Sequence, residues 1–444
     1  MCGPDASHDH PHPPRRTPEL DRRAALAGAG AAGASLLIAG TLGRHTASAA
    51  PAGRRRPGAR RLSRITRGTQ LVHADLHNHS HLSDGDGDPA LAFASMRAAG
   101  LDVAALTDHA TLSNHLLGDL LTGILPDEYR ELAGLTPNGW KQTKKYADAA
   151  NTDGAFTAIR GFEWSEPLIG HVNVWFTEHY VDVLQAGLMQ PFLSWLRRES
   201  GLVLTGGADG IAGFNHPGRE PLRFAEFRYD PRVRRQMVSL EMFNRRDDYL
   251  FEGYDKGRSS PLSACLDAGW RTGITGVTDE HGTDWGFPEG KGRTGLWVRE
   301  HTRAGVKQAM LARRFFATRT SGLRLDATAQ APGRRPRPMG AFLEMTRGVV
   351  RFRLDLARDA EWRDRRLQVQ VLRPGGDYPQ VVKTVDFPVG PVLDFRCTLD
   401  LDDGPWVLLR IADPDEANAT PGPPGHPGNL LGVAYTSPWW LRAG

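Results

Sequence analysis

Cysteine is scarce in this chain: Cys2, Cys265 and Cys397 are the only three in 444 residues. Three scattered thiols form no disulfide framework and no paired thiolate site, so the chain must be held by its core. Long apolar runs are missing too. The uncharged stretch at residues 24–43 is built mainly of Ala and Gly, and no segment makes a convincing membrane span. No glycine-rich loop is arranged to cradle a nucleotide phosphate, since LTGGADG at 204–210 reads as a turn. Internal repeats and heptads are absent, which excludes solenoids and coiled coils. Basic charge is also scarcer than the net +4 suggests. Residues 51–70 hold seven arginines and no acid, and residues 1–50 hold five arginines against four acids. Residues 71–444 are therefore left with a formal −4, and without a recognisable binding module nucleic acid is an unfavoured partner.

The front of the chain is of a different kind. Arg22 and Arg23 precede the uncharged run, and Ala47-Ser48-Ala49 follows it. This resembles a twin-arginine export signal over residues 1–49, with cleavage after Ala49. The twin-arginine machinery is then an expected partner, and the periplasm, cell surface or medium the destination. A weakly hydrophobic Ala/Gly run suits transient targeting better than a stable anchor. Residues 50–70 read as a flexible basic linker.

From residue 71 onward, short apolar runs alternate with polar punctuation. Strands are expected at 71–77, 101–107, 156–162, 171–176, 211–215, 237–243 and 271–277. Several are apolar almost throughout, as in a sheet covered on both faces, so an α/β barrel or open mixed sheet is expected. Asp88 and Pro89 announce a helix that Gly100 closes, and VKQAMLARR from Val306 announces another. Residues 110–155 break the rhythm and read as an insertion on the substrate side. The basic, proline-rich APGRRPRPMG at 331–340 marks a boundary region, and strand-like runs follow at 349–357, 367–373 and 405–413. The expected division is a domain over 71–319 and a smaller β-rich, sandwich-like domain over 320–444, anchored by Trp439 and Trp440.

Chemistry concentrates where the apolar runs end. Asp75, His77 and His79 alternate and would share a face of extended backbone. Asp108 and His109 end the second run, and Glu163 follows the third. His171 opens a run, His216 closes one, and Asp279 and His281 follow another. Imidazoles and carboxylates recurring at strand ends suit a borderline divalent metal cluster rather than a thiolate site.

DLHNHSHLSDG at 75–85, TDH at 107–109, Glu163, His171, NHP at 215–217 and TDEH at 278–281 resemble, in this order, the polymerase-and-histidinol-phosphatase (PHP) superfamily. The resemblance implies an α/β fold, a distorted (β/α)7 barrel holding two or three divalent ions. Zinc and manganese are the expected metals, and iron also suits mixed nitrogen and oxygen donors. Carried over position by position, His77, His79, Glu163 and Asp279 would surround one ion. Glu163 would bridge to a second held by His171 and His216. Asp84, His109 and His281 would hold a third; at position 84 relatives carry either Asp or His. LDAGWRTGITGVTDEHG at 266–282, GKGRTGLWV at 290–298 and AYTSPWW at 434–440 further resemble the CehA/McbA-type metallohydrolases.

The expected activity is that of an exported metal-dependent hydrolase. Paired ions supply a hydroxide nucleophile and bind the electrophilic oxygen, so no serine or cysteine nucleophile is required. A small phosphoester is the leading substrate class; a carboxyl ester or carbamate is the alternative on the same centre. A metal-stabilised extracellular protein that binds a polymer is a third reading. Outside the metal ligands, Arg219 and Arg293 are candidates to meet an anionic substrate, against surface or structural ion pairing. His115 and Asp108 are candidates for proton transfer or for orienting a ligand. Trp140, Trp164, Trp175 and Trp285 are candidates for an aromatic wall, against the simpler role of packing.

Overall fold

A computed structural model of the protein describes residues 61–111, 134–201, 205–286 and 289–444. Strands β1 (Gln70–Asp75), β2 (Val103–Leu106) and β4 (Thr157–Glu166) run parallel and side by side. The two-residue β3 (His109–Ala110) extends the pairing along β4. Next come β5 (Gly170–Trp175), antiparallel to both neighbours, β6 (Ile211–Phe214), β7 (Met237–Asn244) with its short partner β8 (Asp247–Asp248), and β9 (Gly273–Val277). Past the ends of β9 and β1 the chain closes on itself: Asp279 N–H donates to His77 O at 2.9 Å and His79 N–H to Glu280 O at 2.9 Å. The seven principal strands, β1, β2, β4, β5, β6, β7 and β9, thus form a ring of pairings. They are the same seven runs that the apolar patterning marks.

Burial explains why these runs are strands. Every residue of β2, β6, β7 and β9 is buried, leaving no wet face to impose alternation. Helices pack outside. In α1 (Pro89–Ala98), the Asp88 side chain accepts from the N–H groups of Ala90 and Leu91, and Ala92, Phe93 and Met96 are buried. Gly100 then turns the chain at φ +86°, where a side chain would be strained. Within the 110–155 segment, α2 (Pro137–Ala150) is capped by Thr136, and residues 112–133 lie outside the described set. Two short helices, α3 (Met189–Leu196) and α4 (Pro261–Asp267), follow. The helix expected from Val306 is α5 (Arg303–Leu311); it begins three residues earlier, because Thr302 caps it through Gly305 N.

β10 (Glu289–Val298) pairs antiparallel with β1 on one side and with β11 (Phe315–Thr320) on the other. A four-stranded sheet is built from β12 (Arg324–Gln330), β13 (Arg337–Pro338), β15 (Arg347–Ala357) and β18 (Val392–Asp400). β14 (Phe342–Glu344), β16 (Arg366–Arg373), β17 (Gln380–Pro388), β19 (Trp406–Ala417), β20 (Leu430–Thr436) and β21 (Trp439–Arg442) pair among themselves, and β20 joins them to β11. Alternate residues of β15 (Val350, Phe352, Leu354) and β18 (Phe395, Cys397, Leu399) share one apolar cluster with Val369, Val371, Leu409 and Trp439. The segment 331–340, expected as a boundary, is the connection that carries β13 back onto β12. The described end of the basic linker is not a free arm: Arg61 pairs with Asp102, and Arg64 makes a two-pronged contact with buried Asp355. Among the described residues no helix is long and apolar enough to cross a membrane.

Candidate metal centre

The ring has one end where all the donor-bearing segments meet. Parallel strands deliver the residues at or beyond their carboxyl ends, and antiparallel β5 delivers His171 near its amino end, so His171 reaches the same basin. Beyond β1 the chain stays extended through Leu76–His79. His77 and His79 therefore face one way, while Leu76 is buried and Asn78 donates to Ala105 O on the other side. Asp84 follows in a tight turn. A Cβ on Gly85 would come within 2.7 Å of Ser80 N, so the turn closes only around glycine. Asp108 fixes that turn by accepting from Ser80 N–H at 2.8 Å, from Ser80 Oγ at 2.9 Å and from Ser83 Oγ at 2.9 Å.

Donor separations test whether a divalent ion fits. Metal–ligand bonds of about 2.0–2.2 Å in a tetrahedron require donors about 3.4 Å apart. His77 Nε2 lies 3.2 Å from His79 Nε2, 3.2 Å from Asp279 Oδ1 and 3.2 Å from Glu163 Oε1. His79 Nε2 is 3.2 Å from the same Asp279 oxygen. In a second set, Glu163 Oε1 is 3.3 Å from both His171 Nδ1 and His216 Nε2. In a third, Asp84 Oδ2 is 3.5 Å from His109 Nε2 and 3.4 Å from His281 Nε2, and those two nitrogens are 3.4 Å apart. His79 also borders this third set. The donors are spaced to surround ions.

The charges agree with that reading. Two nitrogens that face each other cannot satisfy each other unless exactly one carries a proton, and such contacts occur twice here. Nδ1 of His79, His171 and His216 is buried without an aligned hydrogen-bond partner, although carboxylate oxygens lie nearby. Buried polar atoms left in this state call for an explanation; for His171 Nδ1, which faces Glu163 Oε1, a cation between the two supplies one, whereas His79 and His216 turn Nε2 toward the donor sets. Burial disfavours the charged form of His77, yet Asp279, Glu163 and Glu241 outweigh it and hold the metal-free imidazole well above its ordinary pKa. Burial likewise opposes ionisation of Glu163, and His77, His109 and His171 overcome it, holding that carboxyl well below the usual range. At His79, burial together with the His281 and His109 charges lowers the pKa to about 3, so its ring stays neutral and offers a lone pair.

His77, His79 and Glu163 are inaccessible, whereas the side chains of His171 and His281 are 21% and 29% exposed. Solvent therefore meets the basin on the His171 and His281 sides. Two residues of the centre have backbones in the sparsely populated positive-φ region, His216 at +24° and Asp279 at +49°. Each is held by a buried N–H bond, to Glu241 Oε2 and to His77 O respectively.

All nine expected ligands lie in this basin; the other candidates are placed differently. Arg219 is 3.5 Å from Asp279 Oδ2 and about one-third exposed, at the edge of the centre. Arg293 is 3% exposed, donates to Gly286 O and lies 3.8 Å from buried Asp75, so it is an internal ion pair rather than a residue facing substrate. Asp108 touches the serines of the Asp84 turn and none of the imidazoles; burial raises its pKa to about 6 against their hydrogen bonds. His115 lies outside the described residues. Trp140, Trp164, Trp175 and Trp285 are all buried, each with its indole N–H on a backbone carbonyl, which is packing rather than an aromatic wall.

Three polar residues of the centre were missed in the sequence. Glu220 Oε1 lies 3.2 Å from His216 Nδ1 and groups with His171 and His216. Glu241 Oε1 lies 2.9 Å from His77 Nδ1. Arg245 donates to Asp279 O at 2.7 Å and reaches His281 Nδ1 at 3.3 Å. Glu241 carried a signal: it is the sole charged residue in the apolar run MVSLEMF.

No family model and no curated protein matches the chain. Among solved structures, it is similar to a two-domain Bacteroides vulgatus protein described as containing a predicted PHP-like metal-dependent phosphoesterase. That match has 14% identity and a TM-score of 0.40, over 83% of this chain and 96% of the other. A Bifidobacterium adolescentis protein described as a metal-dependent phosphoesterase matches at 15% identity and a TM-score of 0.28, over 53% and 95% of the two chains. An amidohydrolase from Chromobacterium violaceum, with bound sulfate and no metal, matches at 13% identity and a TM-score of 0.25, over 47% and 87%. Likenesses this distant assign no chemistry to the present chain.

Proposed function

We propose that this protein is a metal-dependent hydrolase of phosphoesters. The observation that carries the reading is the series of overlapping donor groups that meet around Glu163 and His79, spaced for divalent ions and reached by solvent at His171 and His281. His77, His79, Glu163 and Asp279 would hold one ion, Glu163, His171 and His216 a second, and Asp84, His109 and His281 a third; zinc, manganese and iron all suit such donors. When bound, the ions supply Lewis acidity and a water acidified enough to deprotonate near neutral pH. The chain's own residues prepare the rest. Arg219 and Arg245 place guanidinium groups beside Asp279, where they can neutralise an anionic ester. That cationic edge favours phosphoesters over neutral carboxyl esters or carbamates.

A purified, metal-loaded preparation should be compared with a chelated one on p-nitrophenyl phosphate, bis(p-nitrophenyl) phosphate and p-nitrophenyl acetate. Phosphoester turnover lost on chelation is expected. Silence on both phosphates with turnover of the acetate would establish the carboxyl-ester reading instead, and metal uptake with no turnover the binding-protein reading. The same proposal places the chain in the PHP superfamily, nearest the CehA/McbA type on the motifs at 266–282, 290–298 and 434–440, with the seven-strand ring as a distorted (β/α)7 barrel. It also includes export by the twin-arginine route, resting on Arg22, Arg23 and Ala47–Ala49. Exported protein should begin at Ala50, which amino-terminal sequencing checks.

A further inference from the structure

Glu241 occupies the middle of β7, 2% exposed, and its two oxygens serve different donor groups. Oε1 lies 2.9 Å from His77 Nδ1. Oε2 accepts the backbone N–H of His216 at 2.8 Å, the position where φ is +24°. Asn244, three residues on and past the register shift after Glu241, donates to the same Oε2 at 3.2 Å and lies 3.4 Å from Asp279 Oδ2. One carboxylate therefore touches a ligand of the first group and a ligand of the second.

We propose that Glu241 is a positioning residue that couples two metal subsites, the one of His77, His79 and Asp279 and the one of His171 and His216. The inference rests on the metal-centre reading above. An ionised carboxylate only accepts hydrogen bonds. It therefore keeps the proton on His77 Nδ1 and leaves the Nε2 lone pair facing Glu163 and Asp279. Through its other oxygen it holds the His216 backbone in a conformation that the chain would otherwise leave, which aims that imidazole at Glu163. Glu220 supplies the contrast, because it meets His216 and the second group but not His77.

Glutamine at 241 preserves the shape but has one acceptor end and one donor end. It can serve His77 Nδ1–H or His216 N–H, and turns an N–H toward the other. The test uses the full chain as wild type, Glu241→Gln and Glu220→Gln, stripped with chelator and titrated with Zn²⁺, with bound ions counted by plasma mass spectrometry. Glu241→Gln should weaken two subsites, each by roughly 10- to 100-fold, while Glu220→Gln weakens one. The Asp84, His109 and His281 subsite should persist in both. Glu241→Gln binding that matches wild type, or that falls only as far as Glu220→Gln, overturns the coupling. A wild type that takes up no ion overturns the metal reading itself, and the coupling with it. A second measurement needs no variant: the imidazole ¹⁵N signals of zinc-loaded wild type should show His77 protonated at Nδ1, and a bare Nδ1 overturns the proposal.

Discussion

Two clusters of buried charge centre on carboxylates close together in sequence, Glu241 on β7 and Asp248 on its partner β8, and they end in opposite states. At Asp248, Arg410 Nε donates to Tyr435 Oη at 2.8 Å, Nη1 to Gln370 Oε1 at 2.9 Å and Nη2 to Leu430 O at 2.6 Å, while Tyr435 Oη donates to Asp248 Oδ1 at 2.9 Å. No side-chain atom of Arg410, Gln370, Asp248 or Tyr435 is left without a partner. At Glu241, seven residues earlier, the neighbouring imidazoles face one another, and three of their nitrogens have no aligned partner. A buried network that satisfies itself is finished, and it fastens β19 and β20 to β8. A buried network with converging lone pairs is unfinished until something positive enters it.

The comparison breaks first at Asp279. On the proposed function, Asp279→Ala removes a metal ligand, and losing several kcal/mol of charge stabilisation should lower phosphoester turnover by about 10³-fold or more. Global stability of the chelated protein should fall only modestly, from the lost attraction between Asp279 and His77, since alanine gains nothing over aspartate at a φ of +49°. Steady-state kinetics and chemical denaturation check the two halves. Asp248→Ala should do the reverse. It strands a buried guanidinium, which costs about 3–5 kcal/mol of stability in urea unfolding, while the ion count stays at the wild-type value.

A third expectation concerns pH. Burial opposes a charge on His216, but Glu220 and Glu163 raise its pKa in the metal-free protein to about 9. A raised folded-state pKa stabilises fully below the unfolded value of about 6.5, and that stabilisation is lost as pH climbs through about 9. The metal-loaded protein needs the neutral ring and does not share the loss. The difference in Tm between loaded and chelated protein should therefore widen from pH 6.5 to 9 in calorimetry; a constant difference would place the imidazoles outside the metal shell. The smallest effect is expected at the edge. Arg219→Ala should lower kcat/KM for an anionic phosphoester by about tenfold, since a partly exposed charged contact is worth only ~1.5 kcal/mol. A neutral aryl ester should be unaffected.

Much of the site was legible because ligands at strand ends announce themselves locally. His77 and His79 alternate out of an apolar run, NHP and TDEH close two others, and Asp88 with Pro89 marks a helix start by its own chemistry. Arg219 and Arg293 look alike in the sequence, each following a glycine, yet one borders the basin and the other lies within β10, buried against Asp75. Nothing in either local sequence distinguishes them, because the direction of an arginine depends on which carboxylate the neighbouring strand brings near. The four tryptophans carry the same lesson, since burial of an indole is a property of the surrounding shell.

The sequence by itself determined the seven core strands, the donor residues and the order in which they recur, since hydrophobic periodicity and residue chemistry are written along the chain. Only the tertiary structure decided that Glu241 serves both His77 and His216, that Glu220 stands behind His216, and that Asp108 supports a turn rather than an imidazole. Those contacts depend on strand register and on how the ring closes, and a one-residue slip would turn Glu241 to the opposite face of its strand.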